Sequence, residues 1–230
     1  MRLLLALVLS LSATLAAAQP APRASYISAA HLDATAFLAP PPRPSGVVQA
    51  ADLSVVKAAQ AYKGTPRWAL AQSDNDLSPF PAFAPVLGAG FTKAAAPKTA
   101  ALFDVLFADV GSLTAPAKEA FARLRPPLVD PSIETCEPLE PTKSYPSGHA
   151  TRGWLMALVL AEMAPEKANA VLARGRDYGD SRVICAEHFP TDVQAGRLVG
   201  AAVFAAAKDD PAFQRDFQAA RVELRAALGL

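Results

Sequence analysis

Apolar side chains recur at helical spacing over most of the chain beyond residue 46, the pattern that gives a helix one buried face. The helical stretches are Val47–Tyr62, Thr65–Ser73, Ala94–Ala108, Thr114–Arg125, Ala150–Ala164, Glu166–Tyr178, Thr191–Lys208 and Pro211–Leu228. Prolines punctuate the stretch from Ser78 to Leu87, to which no helix is assigned, and the segment from Pro126 to Pro146, which is predicted to be a loop. No stretch shows convincing strand alternation, and no repeat is visible. The pattern predicts a single globular all-α domain of many helices.

The first residues have the layout of a secretory signal peptide. Arg2 gives a positive start, residues 3–15 form an apolar run, and residues 16–18 are alanines. Cleavage is expected after Ala18. An uncleaved membrane anchor is the alternative, which the shortness of the run disfavours.

The mature chain is expected to begin with an extended, Pro-rich segment at residues 19–46 and to continue as a helical domain at residues 47–230. Its later apolar stretches, residues 154–161 and 198–207, are shorter than the ~20 residues that cross a bilayer. No membrane span is therefore expected in the mature protein, and the predicted location is the periplasm.

Composition and charge narrow the class of protein. The 230 residues carry 22 Lys+Arg and 21 Asp+Glu, a net charge of +1, whereas nucleic-acid binders usually show a basic excess. Hydrophobic residues make up 52% of the chain and charged residues 19%, which excludes general disorder. The length suits one domain with a sizeable core.

Cys136 and Cys185 are the two cysteines of the chain. In an oxidising compartment they are predicted to form one disulfide. They cannot make a structural zinc site by themselves, because such a site needs four ligands and the chain has three histidines. Asp177, Asp180 and Glu187 are interpreted as helix caps or solvated charges, so neither a metal nor a cofactor is expected.

The first chemical pattern is Lys118 followed seven residues later by Arg125 and then by Pro126. Seven residues are almost two helical turns, so both cations are predicted to lie on one helix face, where they could flank a phosphate. Pro126 is expected to end that helix at Arg125. A solvated basic helix end would give the same pattern.

The second pattern, Tyr-Pro-Ser-Gly-His, precedes an apolar helical run. Ser147 is a natural N-cap, and Gly148 allows a ligand to approach the backbone closely. The free N–H groups and positive end of the helix favour an anion there, so His149 could act as a general acid. A capped helix with an incidental histidine remains the alternative.

The third pattern places Arg182, His188 and Asp192 around the start of another helix. Pro190 fits the first helical position, which puts His188 just before the helix and Asp192 in its first turn. The carboxylate could orient one ring nitrogen of His188 and leave the other free for nucleophilic attack. A surface cap with a stray histidine is the alternative.

Together, Lys-x6-Arg-Pro, Pro-Ser-Gly-His and Ser-Arg-x5-His-x3-Asp, in that order, resemble the signature of the type 2 phosphatidic-acid phosphatase superfamily. Within it the chain is similar to bacterial class A non-specific acid phosphatases, which suit its signal peptide, length and lack of later spans. The resemblance implies the all-helical fold of that superfamily. It also implies an enzyme that hydrolyses small phosphomonoesters, with phosphotransfer as a side activity, and it suggests a homo-oligomer.

The resemblance also implies roles for the motif residues. His188 would form a phosphohistidine, Asp192 would hold its ring, and His149 would protonate the leaving alcohol and later activate water. The groups expected to hold the phosphoryl oxygens are Lys118, Arg125, Ser147, Gly148 and Arg182. His31 is interpreted as structural or exposed.

Other functions fit the same motifs. A vanadium-dependent haloperoxidase would use the same cradle, but such enzymes are usually much longer. A non-catalytic phosphate-binding protein would need neither histidine, and a lipid phosphatase of this superfamily would carry further membrane spans.

Overall fold

A computed structural model describes residues 25–27 and 32–230 of the chain. The predicted signal peptide, its cleavage site and His31 lie outside these described residues. Within them the chain forms helices and no strand, which confirms the all-α prediction. The helices are α1 (Ala34–Phe37), α2 (Val47–Ala59), α3 (Pro66–Ser73), α4 (Pro79–Leu87), α5 (Pro97–Phe121), α6 (Pro126–Val129), α7 (Gly148–Met163), α8 (Ala168–Ile184), α9 (Pro190–Lys208) and α10 (Pro211–Leu228), with short 3₁₀ turns at Gln60–Tyr62 and Pro165–Lys167.

The core is built around α7, which packs against α8 on one side and α9 on the other. Leu155 and Val159 of α7 and Val199 of α9 are fully buried in one apolar cluster. Gly196 and Gly200 let α9 approach closely, because a β-carbon at these positions would lie 2.5 Å and 2.6 Å from backbone oxygens at the start of α7. The second and third turns of α9 therefore pack against the first turn of α7.

The two helices predicted at Ala94–Ala108 and Thr114–Arg125 are in fact one helix, α5. Gly111 and Pro116 both lie inside this helix, although the prediction had placed a break between residues 108 and 114. The helix ends at Ala122, whose positive φ of 51° turns the chain out of the helix. The prediction that Lys118 and Arg125 share one helix face is wrong, because Arg125 lies beyond this turn.

The helix α4 was also not predicted, because its sequence contains several prolines. Pro79 and Pro81 lie in its first turn, where backbone N–H groups have no intrahelical partner to lose. Similarly, α8 runs six residues beyond the predicted end at Tyr178, because Gly179 serves close packing rather than termination. Arg182 consequently lies in the last turn of α8.

By length and composition, the stretch Pro97–Val129 is long and apolar enough to cross a membrane. Half of its most apolar window is buried inside the fold. The helix within it, α5, packs against α7, α9 and α10, which is the environment of a core helix.

Candidate active site

The three motifs meet where α5, α7, α8 and α9 begin or end. Each of the motif residues is at most 9% exposed: Lys118, Arg125, Ser147, His149, Arg182, His188 and Asp192. Nη1 of Arg125 lies 3.5 Å from Nε2 of His188, and the backbone amide of Ser147 donates to the carbonyl of Asp192 at 3.1 Å. Motifs far apart in sequence thus form one buried, cation-rich centre.

The imidazole of His188 lies close to the carboxylate of Asp192. Its Nδ1 lies 3.6 Å from Oδ2 of Asp192, which is longer than a hydrogen bond. The hydroxyl of Ser144 donates to that same Oδ2 at 2.6 Å and lies 3.3 Å from Nδ1, so it is within reach of both groups. Burial lowers the pKa of His188 to about 3, with Lys118 and Arg125 adding to the effect and Asp192 opposing it.

The carboxylate of Asp192 is held from several sides. Oδ2 accepts the backbone N–H of Phe189 at 2.8 Å, and Oδ1 accepts Nη1 of Arg123 at 2.5 Å. Burial alone would raise the pKa of Asp192, but His188, Arg123 and Ser144 outweigh it and hold the pKa below its ordinary value. Asp192 is therefore charged and fixed in place.

Arg123 is a site residue that the sequence interpretation missed. Its guanidinium, buried and 4.2 Å above the Phe189 ring, binds Asp52 at 2.7 Å as well as Asp192. It stands two residues before Arg125, a spacing that could have drawn attention to it. Arg123 lies beyond the turn at Ala122, so the helical periodicity of α5 could not predict where its side chain points.

All three nitrogens of the Arg125 guanidinium donate hydrogen bonds inside the site. Nε donates to the carbonyl of Thr142 at 2.8 Å, Nη1 to Oε2 of Glu187 at 2.7 Å, and Nη2 to Oε2 of Glu140 at 2.7 Å. The interpretation of Glu187 as a cap or solvated charge is wrong, because its side chain is only 5% exposed and bridges to Arg125. Burial raises the pKa of Glu187.

Glu140, also missed by the sequence interpretation, lies among these cations. While Oε2 binds Arg125, Oε1 lies 3.8 Å from Nδ1 of His149. Burial alone would raise its pKa, but the charges of Arg125, His149 and His188 outweigh burial and lower it. The Glu140 carboxylate thus lies between Arg125 and His149, two residues predicted to act on a phosphate. A bound phosphate would compete with this carboxylate for both of them.

The end of α3 and the segment after it supply further partners of the motif residues. Nη1 of Arg182 donates to Oδ1 of Asn75 at 3.1 Å, and Nη2 donates to the carbonyl of Ala71 at 2.8 Å. The Asn75 carbonyl also lies 3.3 Å from Nε2 of His149. No motif marks this segment, so sequence reasoning did not connect it with the site.

His149 and Lys118 are both weaker bases than usual. Burial, followed by the charge of Arg182, lowers the pKa of His149 to about 4. Burial and the charge of Arg125 lower the pKa of Lys118 to about 8, and its Nζ donates to the carbonyl of Lys143. At neutral pH His149 is therefore neutral, whereas Lys118 is mostly charged.

The first turn of α7 offers backbone donors to an anion. Ser147 is its N-cap, as predicted, and its hydroxyl accepts the amide of Ala150 at 3.3 Å. The amides of Gly148 and His149 precede any possible intrahelical acceptor, so they remain available. A phosphate oxygen at this helix end would meet both amides and the positive end of the helix dipole.

The predicted disulfide is present between Cys136 and Cys185, and it crosslinks residues 49 apart in sequence. Cys185 is the C-cap of α8, three residues before His188. The loop that contains Glu140 is thereby tied to the end of α8. Among residues 25–27 and 32–230, no group of three or more His, Cys, Asp or Glu side chains could hold a metal ion.

Known proteins resemble the chain over most of its length. It is 38% identical over 209 residues to an acid phosphatase of Zymomonas mobilis, covering 86% of this chain and 77% of that protein. It is 40% identical over 197 residues to a non-specific acid phosphatase of Salmonella typhimurium, covering 82% and 78%. A non-specific acid phosphatase of Providencia stuartii is 35% identical over 201 residues, covering 84% and 81%.

Solved structures share the fold at lower identity. A bacterial vanadium-dependent iodoperoxidase aligns with a TM-score of 0.57 and 17% identity, covering 74% of this chain and 52% of its own. A transmembrane PAP2-type phosphatidylglycerolphosphate phosphatase from Bacillus subtilis aligns with a TM-score of 0.50 and 22% identity, covering 76% and 89%. The family model described as PAP2 superfamily matches residues 99–215, which include every motif residue. With its relatives among the acid phosphatases, the chain belongs to the PAP2 superfamily.

Proposed function

We propose that this protein is an acid phosphatase that hydrolyses small phosphomonoesters through a phosphohistidine on His188. The observation that carries the proposal is the environment of that ring. Nδ1 faces the fixed carboxylate of Asp192, while Nε2 faces the guanidinium of Arg125 at 3.5 Å. Relatives of 35–40% identity named as acid phosphatases support the same activity.

In the first step, Nε2 of His188 attacks the phosphorus atom. Its lowered pKa keeps the ring neutral, so that Nε2 carries the lone pair that attack requires. A P–N bond forms as the ester P–O bond breaks, and the ring gains positive charge. The carboxylate of Asp192 lies where it stabilises that charge.

The leaving alcohol needs a proton, which His149 is placed to supply. With a pKa of about 4 in the free protein, His149 is neutral at mildly acidic pH. A phosphomonoester, whose second pKa is about 6, brings a proton with it in its monoanionic form. Transfer of that proton through His149 to the ester oxygen predicts that the activity is higher at mildly acidic pH.

The surrounding cations stabilise the transferring phosphoryl group. Lys118, Arg125 and Arg182 and the amides at the start of α7 form a positive cradle that is already folded around the position of the phosphate. Phosphoryl transfer is accelerated mainly by positioning and by preorganised positive charge. The carboxylate of Glu140 must move aside as the phosphate enters.

In the second step, His149 takes a proton from water, whose oxygen attacks phosphorus and breaks the P–N bond, and His149 then passes that proton to the departing phosphate. Phosphate leaves and His188 becomes neutral again. Transfer to an alcohol in place of water would give the phosphotransferase side activity.

We also propose that the protein is exported to the periplasm after cleavage behind Ala18. The disulfide supports this location, because disulfides persist in oxidising compartments. The likeness to the iodoperoxidase concerns the fold at 17% identity, so it does not favour haloperoxidase activity.

The test compares two leaving groups in the purified mature protein. We expect hydrolysis of p-nitrophenyl phosphate and of a simple alkyl phosphate, and loss of both in His188→Ala. His149→Ala should lower kcat/KM, which reports the steps up to release of the alcohol, far more for the alkyl phosphate than for p-nitrophenyl phosphate, since general acid catalysis contributes ~10²–10⁴-fold. Equal losses for both substrates would contradict the role of His149, and full activity of His188→Ala would reject the proposed mechanism.

A further inference from the structure

Arg152 borders the candidate active site without belonging to its motifs. It stands one turn after Gly148 on α7 and three residues after His149, so it shares their helix face. Its side chain is partly buried, and Nε is buried without a hydrogen-bond partner among the described residues. No carboxylate of the described chain forms an ion pair with it.

The guanidinium of Arg152 lies between the start of α7 and the aromatic ring of Phe107. Nη1 is 3.4 Å from the position that a β-carbon on Gly148 would occupy, and Cζ is 5.8 Å from the centroid of the Phe107 ring. Its charge lowers the pKa of both His149 and Lys118, so it acts directly on the phosphate-handling groups.

A cavity of about 220 Å³ adjoins this position. It is lined by Leu77, Ser78, Pro79, Phe80, Lys93, Ala100, Phe103, Asp104 and Phe107. Phe107 is thus shared between the cavity and Arg152. Leu77, in the same wall, follows by two residues the Asn75 whose carbonyl faces Nε2 of His149. Through Phe107 and Leu77 the cavity is linked to Arg152 and to the segment that contains Asn75, while its lining includes none of the motif residues.

Burial lowers the pKa of Arg152, and the charges of Tyr178 and Glu140 oppose this effect. Among the described residues, however, no carboxylate forms an ion pair with its guanidinium, and burial of Nε without a hydrogen bond costs free energy. Cζ lies 5.8 Å from the centroid of the Phe107 ring, a contact that uses none of the N–H groups as hydrogen-bond donors. An anion supplied by the substrate would satisfy those donors.

We propose that Arg152 binds a second anionic group of the substrate, a carboxylate or phosphate carried by the leaving group close to the ester oxygen. This inference rests on the proposed function. It assigns the protein a preference for phosphomonoesters of hydroxy acids and for diphosphates over esters of neutral alcohols. Lys93, at the edge of the cavity, adds a second positive charge on that side, and Asp104 keeps the cavity from being uniformly basic.

The test uses matched substrates with the full mature protein. Phosphoglycolate and its neutral amide differ by one charge near the same ester oxygen, and pyrophosphate tests a phosphate as the second anion. A charge-assisted hydrogen bond corresponds to a 10- to 100-fold effect, so we expect kcat/KM to favour phosphoglycolate over the amide by at least about tenfold. Arg152→Gln should bring this ratio close to one and should weaken pyrophosphate turnover. Arg152→Lys, which keeps the charge, should retain part of the preference.

The matched control is Arg176→Gln on α8, whose side chain is 64% exposed. It should leave kcat/KM for both substrates unchanged. A natural protein that hydrolyses phosphoglycolate and its amide equally well would overturn the inference, and so would a preference that survives in Arg152→Gln. Failure to hydrolyse any of these substrates or p-nitrophenyl phosphate would instead reject the proposed function, and this inference with it.

Discussion

Nη1 of Arg123 donates a 2.5 Å hydrogen bond to Oδ1 of Asp192, the carboxylate whose other oxygen faces His188. The arginine is 5% exposed and the aspartate fully buried, so water cannot replace this contact. The other terminal nitrogen of this guanidinium, Nη2, forms an ion pair with Oδ2 of Asp52 at 2.7 Å. Asp192 is thus held between the ring that it orients and a buried cation.

This relationship predicts that Arg123→Gln is strongly destabilising and lowers kcat. Removal of one member of a buried ion pair leaves the others uncompensated and costs about 3–5 kcal/mol. Chemical unfolding measures the stability, and p-nitrophenyl phosphate hydrolysis measures kcat. Arg225→Gln is the control, because its pair with Glu166 is partly exposed and contributes at most about 1 kcal/mol. Equal losses of stability in the two variants would contradict the account.

Glu140→Gln should strengthen inhibition by inorganic phosphate. The natural carboxylate binds Arg125 at 2.7 Å and lies 3.8 Å from His149, so phosphate has to displace it. Because the side chain is 43% exposed, the gain is modest, roughly two- to fivefold in the inhibition constant. Glu137→Gln in the same loop, whose carboxylate forms no ion pair among the described residues, should leave the constant unchanged. Weaker phosphate inhibition in Glu140→Gln would show that this carboxylate assists binding instead.

The protein should lose stability as the pH falls from 6.5 to 5. The pKa values of His149 and His188 are lowered to about 4 and about 3, so in this range the unfolded chain binds protons that the folded chain does not. Each histidine then contributes a loss that rises from half of the limiting slope at pH 6.5 toward the full slope of about 1.4 kcal/mol per pH unit near pH 5. Urea unfolding at several pH values measures the slope, and His149→Asn and His188→Asn should each flatten it. A slope unaffected by both substitutions would contradict these pKa values.

Loss of the disulfide should destabilise the protein more than it changes its site. The bridge closes a loop of 49 residues, and in the chain-entropy model a loop of this size contributes about 4 kcal/mol. Cys136→Ser/Cys185→Ser should therefore unfold at a markedly lower temperature in a thermal scan. Below that temperature it should keep its KM, because among the described residues no hydrogen bond joins either cysteine to a motif side chain. An unchanged unfolding temperature would contradict the stabilising role.

The sequence was sufficient to predict most helices and to single out the motif residues that meet in one buried centre, because both depend on local spacing. Pro190 and the apolar periodicity predicted the start of α9, and Ser147 predicted the start of α7. Lys118 and Arg125 were placed on one helix because their spacing matched a helical face. The left-handed turn at Ala122 lies between them, and alanine gives no sign of it.

Groups that act on the motifs from elsewhere in the chain could not be predicted. Asp52, Asn75 and Glu140 come from segments without regular spacing to the motifs, and only the packing of α2 and two loops brings them near. The burial of Glu187 was missed for a related reason. An acidic residue beside a loop is usually solvated, and its partner Arg125 is 62 residues away.

The most direct test of the account is to trap the phosphorylated protein. His149→Ala, which lacks the group that activates water, is mixed with a ³²P-labelled p-nitrophenyl phosphate, quenched rapidly, digested and sequenced by mass spectrometry. We expect acid-labile phosphate on His188 and none on the double variant His149→Ala/His188→Ala. Label on another residue of the single variant, or turnover with no labelled protein at any time after mixing, would contradict it.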